Sequence, residues 1–376
     1  TNNKLLAGWS SVDITPTKKV SIHGQYHERI SKGVHDPIYA TVLAIESKSE
    51  DGLPNEQAIM ISCDLVGIEK VILDKLRGKM SGKIKDLDLS KILAFAIHTH
   101  TAPCVLADNF DRLNWAEWKN LSQDEYMHPD EYLEFLIEKL EKAVIHAWNS
   151  RRPSKVSIEL GHAVVGHCRR TVFDDRAVMY ASPETANFVG LEGPSDHGVE
   201  LMYFWNEEDK LTGVIVNVAC PAQVVESMDV ISADYFGAAR RKIKERVSED
   251  VYVLPQIAPA GDQSPRDLIR RGKSENNMFN NFEGMEELGF RVADAVVKKY
   301  ENARKKAQSD LVFFHNVEDI YLPIRKVTQG EVEWARKNYD ELMKNYHSEN
   351  ELYGGDLVKL VDCRAIFLRK EVQEKV

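Results

Sequence analysis

The sequence predicts an α/β fold in which a mainly parallel or mixed sheet is flanked by helices and a site lies at the carboxyl ends of the strands. Two apolar runs, Gln57–Asp64 and Ile92–Ile97, have the character of buried strands. Between them, Gly67–Met80 shows helical spacing of its apolar residues. A strand, a helix and a strand in this order indicate a βαβ unit, whose two strands are normally parallel.

Further runs along the chain extend this pattern. Alternating or wholly apolar stretches predict strands at 5–16, 39–46, 156–165, 196–205, 211–220, 251–257 and 311–324. Amphipathic spacing predicts helices at 129–148, 238–247, 282–304 and 328–346. No repeat or low-complexity linker interrupts the chain, so residues 1–305 are expected to form one α/β domain. Residues 306–376 are expected to extend that domain by a strand and a helix.

Composition excludes several classes of protein. The 376 residues are 43% hydrophobic and carry a net charge of −10, which indicates a globular core and argues against nucleic acid or an anionic membrane as the main partner. No apolar run reaches the length of about 18 residues that a membrane span needs. The five cysteines are widely spaced and predict neither a disulfide framework nor a zinc knuckle. The first residues show no signal-peptide pattern, which leaves the compartment open.

A pair of histidines, His98 and His100, directly follows the second of the two buried strands. Side chains alternate along a strand, so the two imidazoles are expected on the same face and Thr99 on the other. Open α/β sheets bind ligands at this end of their strands. The pair therefore predicts a metal site or a pair of acid–base groups, with backbone hydrogen bonding of two polar side chains as the alternative.

Other polar residues also follow predicted strands. Asp64 and Cys220 end two of them, and the loop Gly261–Arg266 follows a third. If the strands are parallel, these residues converge on one rim with the histidines. A divalent metal there would activate water and polarise a carbonyl group. Ser264, in the loop, would be a nucleophile only with a base within reach.

Two adjacent arginines, Arg169 and Arg170, follow the predicted strand 156–165. Guanidinium groups hold carboxylate and phosphate groups through paired hydrogen bonds, so these two could clamp an acidic group of a substrate. The alternative is that they pair with some of the many carboxylates of the chain.

The order of the motifs resembles that of the neutral/alkaline (non-lysosomal) ceramidase superfamily. Six blocks in the same order carry the resemblance: Gly8–Pro16 (GWSSVDITP), Asp36–Ala40 (DPIYA), Ser62–Gly67 (SCDLVG), His98–Pro103 (HTHTAP), Ile231–Tyr235 (ISADY) and Ala260–Pro265 (AGDQSP). Because they extend from about residue 7 to residue 267, the match is more specific than any single motif. It implies that residues 1–305 are the catalytic domain of a zinc-dependent, usually exported hydrolase that cuts an amide.

The resemblance also implies roles for single residues. His98 would be the first zinc ligand and His100 a neighbouring site residue. Asp262 and Ser264 would lie in the loop that faces the scissile group.

One block departs from the pattern of the superfamily. A second zinc-binding histidine is expected in the stretch Asn217–Gln223, which contains none. Cys220 could substitute as a thiolate ligand, Glu226 or Asp234 could reach in, or the metal could be absent or different. The remaining ligands of the superfamily, a Glu and a Tyr, belong to a C-terminal portion that this sequence is expected to lack.

The His35, His167–Arg170 and Asp196–His197 blocks resemble a bacterial branch of the superfamily whose substrate need not be a ceramide. The resulting expectation is a zinc-type hydrolase, secreted or periplasmic, that acts on a small-molecule, lipid or glycan substrate. One alternative is a carbohydrate-directed hydrolase or esterase. This enzyme could be metal-free, with His98, His100 and Asp64 as acid–base groups. The other alternative is a non-catalytic glycan-binding relative. The predicted site residues are catalytic His100, Asp262, Ser264 and Asp64, substrate-binding Arg169, Arg170, His35, His197 and Arg266, and metal-binding His98 and Cys220.

Overall fold

Two β-sheets stack face to face and helices cover their outer faces. The computed structural model describes residues 4–48, 54–107, 117–270, 279–349, 352 and 354–375. The strands are β1 Lys4–Asp13, β2 Tyr39–Lys48, β3 Pro54–Cys63, β4 Ile92–Ala96, β5 Arg152–Pro153, β6 Lys155–His162, β7 His167–Cys168, β8 Arg170–Phe173, β9 Ala177–Met179, β10 Phe188–Leu191, β11 Gly198–Trp205, β12 Leu211–Val218, β13 Tyr252–Ile257 and β14 Gln263–Ser264. The helices are α1 Lys70–Met80, α2 Pro129–Asn149, α3 Asp234–Arg246, α4 Phe282–Lys305, α5 Gln329–Asn345 and α6 Gly354–Lys375, with short 3-10 turns at Leu89–Lys91 and Glu117–Asn120.

The first sheet has the order β4-β3-β2-β1-β5. Strands β3 and β4 are parallel and α1 connects them, which confirms the predicted βαβ unit. The other pairs of this sheet are antiparallel, including the ten-residue ladder between β1 and β2. Helix α2 packs on β1 and β2, since its apolar stripe, which includes Tyr132, Leu136 and Leu140, is buried against them.

The second sheet has the order β13-β12-β11-β6, with β12 and β13 parallel and the other pairs antiparallel. Helix α4 packs on its β6 and β11 strands, and α3 packs on α4 and β13. Between the two sheets lies an apolar layer that includes Trp9, Leu43, Phe204 and Leu254. The predicted α/β fold, with mixed sheets flanked by helices, is therefore confirmed.

The prediction of a strand at 311–324 is wrong. This segment is extended, and its alternation survives in Leu311, Phe313 and His315, which are half-buried while Val312 and Phe314 are exposed. No described strand pairs with it, so no ladder forms. Helix α6 was not predicted. In the described part of the chain, no helix is long and apolar enough to cross a membrane.

Candidate functional site

The carboxyl ends of β4 and β12 meet at one rim of the molecule. The residue after β4, Ile97, accepts a backbone hydrogen bond at its carbonyl oxygen from the N–H of Ala222, which follows β12 (3.2 Å). This contact joins the loop that carries the two histidines to the loop 219–226. The predicted location of the site, past the ends of buried strands, is where these two loops lie.

The two histidines face each other across this rim. Strand β4 ends at Ala96, and His98 adopts a left-handed backbone conformation with φ of +60°, so the pair sits in a turn rather than in a strand. Their Nε2 atoms are 3.3 Å apart, and the rings meet edge to face with centroids 4.8 Å apart. A non-glycine residue with positive φ is strained, and such strain concentrates at functional sites.

The second ring nitrogens of the two histidines differ in their partners. His98 Nδ1 lies 2.7 Å from the carbonyl oxygen of Val66, whereas His100 Nδ1 lies 3.5 Å from Oε2 of Glu226 and makes no hydrogen bond. Since a carbonyl oxygen only accepts, Nδ1 of His98 carries the hydrogen and its Nε2 carries a lone pair; at His100 the same tautomer follows from the amide donor at Nε2. The amide nitrogen of Gln223 lies 2.6 Å from His100 Nε2 and donates to it. Burial, followed by the charges of His98 and Arg29, lowers the pKa of His100 to about 3.

Gly24 and Arg29 hold His100 in place. Gly24 has φ of +109°, and a Cβ there would lie 2.4 Å from Cγ of the His100 ring, so only glycine leaves room for the imidazole. The buried guanidinium of Arg29 donates to the carbonyl oxygens of His100 (2.6 Å), Glu226 (2.8 Å) and Met228 (3.0 Å). Neither residue was predicted, since their roles depend on loops far apart in the sequence.

Glu226 links the histidines to a cationic and aromatic cluster. Its carboxylate also contacts the guanidinium of Arg266, which lies 4.5 Å from the ring centroid of Tyr180 and 3.8 Å from that of Phe279. Burial raises the pKa of Glu226, and the nearby Arg266 opposes that shift. The sequence had suggested Glu226 only as a substitute metal ligand, and the structure places it against the opposite nitrogen of His100.

A buried carboxylate, Asp234, anchors the loop that carries Gln223 and Glu226. It begins α3 with φ of +54° and accepts hydrogen bonds from the backbone N–H groups of Val225 (2.9 Å) and Tyr235 (2.7 Å). Burial raises its pKa to about 7. Asp234 therefore holds the loop through its backbone, and its carboxylate is occupied by these N–H groups.

The loop that contains Asp262 and Ser264 is hydrogen-bonded to Arg169. Strand β14 pairs with β7, so Ser264 lies beside His167, and the N–H of Arg169 donates to the carbonyl oxygen of Asp262 (2.8 Å). The Arg169 guanidinium donates to the carbonyl oxygen of Gly261 and to the Tyr180 hydroxyl. Ser264 is buried, and its Oγ accepts the N–H of Arg266 (3.2 Å).

The histidine pair fits two positions of a zinc site. Two nitrogens bound to one tetrahedral zinc at about 2.0–2.1 Å lie roughly 3.3 Å from each other, and zinc-binding histidines commonly hold an acceptor with their second nitrogen. The spacing is present at His98 and His100, and the held acceptor is present at His98. Across the described ranges, however, no three His, Cys, Asp or Glu side chains are grouped so that they could hold a metal ion.

Two predicted site residues point into the protein core. Asp64 is fully buried, pairs with Arg240 (2.9 Å) and accepts the N–H of Tyr39 (2.8 Å). The Cys220 thiol is fully buried and donates to the carbonyl oxygen of Pro221 (3.5 Å), and burial raises its pKa well above the ordinary value.

Three other predicted residues lie in separate surroundings. Arg170 pairs with Glu192 at the surface, and His35 stacks on Phe282 with ring centroids 3.8 Å apart. His197 neighbours two other histidines, His162 and His167 (centroids 5.8 and 6.2 Å away). We call His162, His167 and His197 the second histidine group. His167 and His197 line a cavity of about 340 Å³ with Asp267 and Arg270.

Comparison with known proteins finds likeness in structure only. No protein-family model matches the sequence, and no curated protein matches it. The fold matches a neutral ceramidase from Pseudomonas aeruginosa with a TM-score of 0.61 at 16% identity, over 82% of this chain and 46% of that chain. A ceramidase complexed with C2 matches with the same TM-score and identity, over 81% and 45%. The chain thus has a neutral ceramidase-like fold and spans less than half the length of the structures it matches.

Proposed function

We propose that this protein is a hydrolase that cleaves an amide or a related acyl bond at the His98–His100 pair. The observation that carries this proposal is the approach of the two Nε2 atoms to 3.3 Å in the loop past β4. The neutral ceramidase-like fold supports it, because the matched proteins are ceramidases. Fold alone does not fix function, so the proposal depends on the site.

His98 is the proposed proton acceptor. Its Nδ1 hydrogen is held by Val66, which keeps the Nε2 lone pair available, and its side chain is exposed. His100 stays neutral because burial lowers its pKa, and Glu226 and Gln223 fix its ring from both sides. A neutral, oriented imidazole next to an exposed one suits transfer of a proton from water to the leaving group.

A zinc ion bound at this pair would supply a polarised carbonyl group and a water of lowered pKa. In that form of the site His98 and His100 would hold the ion through Nε2, with Val66 and Glu226 beside the two rings, and the metal would take the place of the proton that His98 otherwise accepts. Cys220 is not proposed as a ligand, because its thiol is fully buried and donates to the carbonyl oxygen of Pro221.

A polar or acidic glycan derivative is the second candidate substrate, beside a lipid amide. Within the described ranges, Arg169 forms no ion pair with a carboxylate, and it lies next to Tyr180 and the Asp262 loop. A guanidinium without a carboxylate is suited to an acidic group of a substrate. Ser264, Asp262 and Arg266 would line the same side, and a non-catalytic glycan-binding protein is the remaining alternative.

The first experiment is to measure zinc content and hydrolysis for the wild type and for His98→Ala. The substrate panel contains N-acyl sphingosines and N-acetylated neutral and acidic sugars. If the wild type hydrolyses a substrate and His98→Ala does not, the proposed function is supported. If His98→Ala also loses bound zinc, the proposal that this pair binds zinc is supported. If the wild type binds a sugar at this pair without hydrolysing it, the protein is a glycan-binding protein and the hydrolase proposal is rejected. We also propose export from the cell and the division at residue 305, each testable by fractionation and by limited proteolysis.

A further inference from the structure

A cavity of about 420 Å³ lies where helix α3 meets both sheets. Its walls come from β1, β2, β13 and α3, and they include Ser11, Thr41, Tyr252 and Arg240. The volume falls in the range of about 300–1,000 Å³ that small-molecule sites occupy. None of the residues described above as contacting the histidine pair lines this cavity, so an occupant here is independent of the proposed function.

The guanidinium of Arg240 lines this cavity with most of its donors unused. Arg240 is only 8% exposed, and within the described part of the chain its guanidinium makes one hydrogen bond, to Asp64 (2.9 Å). Its Nε is buried without a partner. The guanidinium of Arg29, which is buried to a similar degree, makes four hydrogen bonds. Buried polar groups are nearly always hydrogen-bonded, so the free N–H groups of Arg240 call for an acceptor held in the cavity.

The charges around the cavity balance, which favours an uncharged ligand. Three cations and three carboxylates line it: Arg240, Arg241, Lys244, Asp36, Glu245 and Glu249. An anion here would lie close to the carboxylates, and a cation would lie close to the guanidinium and ammonium groups, so neither gains on balance. Asp64, which pairs with Arg240 from behind, adds a further negative charge and disfavours an anion more strongly.

Some of these charged groups are held by the protein and others are open to a ligand. Asp36 accepts two hydrogen bonds from the start of α3, and Arg241 pairs with a glutamate of α4. Lys244 donates only to a backbone carbonyl oxygen (2.6 Å), and among the described residues neither it nor Glu245 forms an ion pair. Arg240, Lys244 and Glu245 therefore offer both donors and an acceptor to a ligand.

Two tyrosines and two hydroxyl groups complete the walls. The Arg240 guanidinium lies over one face of the Tyr39 ring (5.3 Å), and Tyr252 stacks on Trp9 with 5.8 Å between centroids and 5° between planes. Both rings are thereby fixed where they line the cavity. The hydroxyl oxygens of β1 and β2 that line it lie 3.4 Å from each other. Such walls suit a ligand whose C–H groups pack on aromatic rings and whose hydroxyl groups both donate and accept.

A sugar combines these properties in one uncharged molecule. Its hydroxyl groups can accept from Arg240 and Lys244 and donate to Glu245. The C–H groups of its ring can pack against Tyr39 and Tyr252. We propose that the cavity beside α3 is a binding site for a neutral monosaccharide unit, separate from the histidine pair.

The test is binding of glucose, galactose and mannose, followed by saturation-transfer difference NMR with dissociation constants from titration. The wild type and His98→Ala are expected to bind at least one of them with the same affinity, because the histidine pair lies elsewhere. Ser11→Trp, which places an indole in the cavity, should weaken binding at least about tenfold. Ser11 is exposed, so the variant should fold, and Val189→Trp, at an exposed position of β10, is the control for the added indole.

A second variant removes polar contacts without filling the cavity. Lys244→Ala/Glu245→Ala should weaken binding about 2- to 10-fold for each hydrogen bond lost. Arg240 stays unchanged in both variants, because its loss would leave the buried Asp64 without its cation.

Three results would overturn the proposal. The first is that none of the three sugars binds, or that inorganic phosphate, glycine or adenosine binds in their place. The second is binding that His98→Ala abolishes, which would put the sugar at the histidine pair and leave this cavity without a ligand. The third is binding that Ser11→Trp and Lys244→Ala/Glu245→Ala both leave intact.

Discussion

The molecule contains two groups of neighbouring histidines, and they differ in how their rings are held. At His98 and His100, the Nε2 atoms are 3.3 Å apart, His98 Nδ1 lies 2.7 Å from the carbonyl oxygen of Val66, and the Gln223 amide donates to His100 Nε2. In the second histidine group the ring centroids are 5.8 and 6.2 Å apart, and Nδ1 of His197, like Nδ1 of His100, is buried without a hydrogen-bond partner. The second group contains more histidines, but the ring nitrogens with hydrogen-bond partners described above belong to the first group.

This difference shows that the surroundings of a histidine decide its chemistry. Gly24, Arg29, Gln223 and Glu226 all contact His100 or would collide with it if enlarged. Such neighbours fix the tautomer and the direction of the lone pair. The four predictions below test the comparison, from the largest expected effect to the smallest.

The largest effect is expected from removing an imidazole of the first pair. His98→Ala should lower kcat/KM by about 10²- to 10⁴-fold, since it removes the proposed proton acceptor. His197→Ala, the matched change in the second group, should stay within about twofold of the wild type, because this residue lies outside the first pair. Both are measured with the best substrate of the panel. Equal losses in the two variants would contradict the distinction between the groups.

A methyl group at Gly24 should also reduce activity strongly. Gly24→Ala places a Cβ 2.4 Å from the His100 ring, so the ring must move, and a displacement of about 1 Å can cost roughly 100-fold in rate. The control is Gly33→Ala, because a Cβ there meets nothing within 4 Å. The measurement is kcat alongside the thermal unfolding of each variant. If both alanine variants keep full activity, His100 does not need its observed position.

Glu226→Gln should have a smaller effect. The amide keeps the shape of the side chain but loses the negative charge that faces His100 Nδ1 and Arg266, and loss of such an orienting group typically costs about 10- to 100-fold. A fall in kcat with little change in KM is expected. Glu192→Gln, at the surface ion pair with Arg170, serves as the control. A change confined to KM would assign Glu226 to substrate binding instead.

The smallest effect concerns Asp234, which anchors the loop of the first pair. Its folded-state pKa of about 7 lies above the unfolded value, so the native state holds a proton that the unfolded chain releases. This stabilisation is complete below the unfolded pKa and is lost as pH rises through the folded one. The free energy of unfolding should therefore fall by at most about 1.4 kcal/mol per pH unit between about pH 4.5 and 6.5.

Asp234→Asn should remove this part of the pH dependence, as measured by urea unfolding across that range. The control is Asp196→Asn, which alters a carboxylate beside His197 that accepts the N–H of Gly198. It should keep the wild-type dependence on pH. An unchanged slope in Asp234→Asn would show that this carboxyl does not titrate as its burial implies.

The fold was predictable where hydrophobic periodicity decides it. The strands around Gln57–Asp64 and 92–97 and the helix between them were found, because one wholly apolar run and one amphipathic run leave few alternatives. The prediction of a strand at 311–324 was wrong because the pattern of one segment is not sufficient for a strand. Its alternation is present, but a strand also needs a neighbour, and periodicity in one segment does not supply one.

The site was predictable only in part. Motifs singled out His98, His100 and the Asp262–Ser264 loop as candidates, whereas Gln223 and Arg29 contact His100 from 123 and 71 residues away in sequence. Asp64 was expected at the site because it ends β3, but the nearby Arg240 of α3 takes its carboxylate into a buried ion pair. Contacts of this kind depend on tertiary packing, and no local sequence pattern predicts them. The roles of the predicted residues stay predictions.

The two sheets follow one another along the chain, and this order has a consequence for synthesis on the ribosome. The first sheet is complete by Pro153, and the second begins at Lys155. Gln223 emerges 123 residues after His100, a delay of about 6–25 s at ordinary rates of translation. During that interval the nascent chain carries its histidine pair without Gln223 and Glu226. The capacity for chemistry is thus acquired late, after the first half of the molecule has had time to fold.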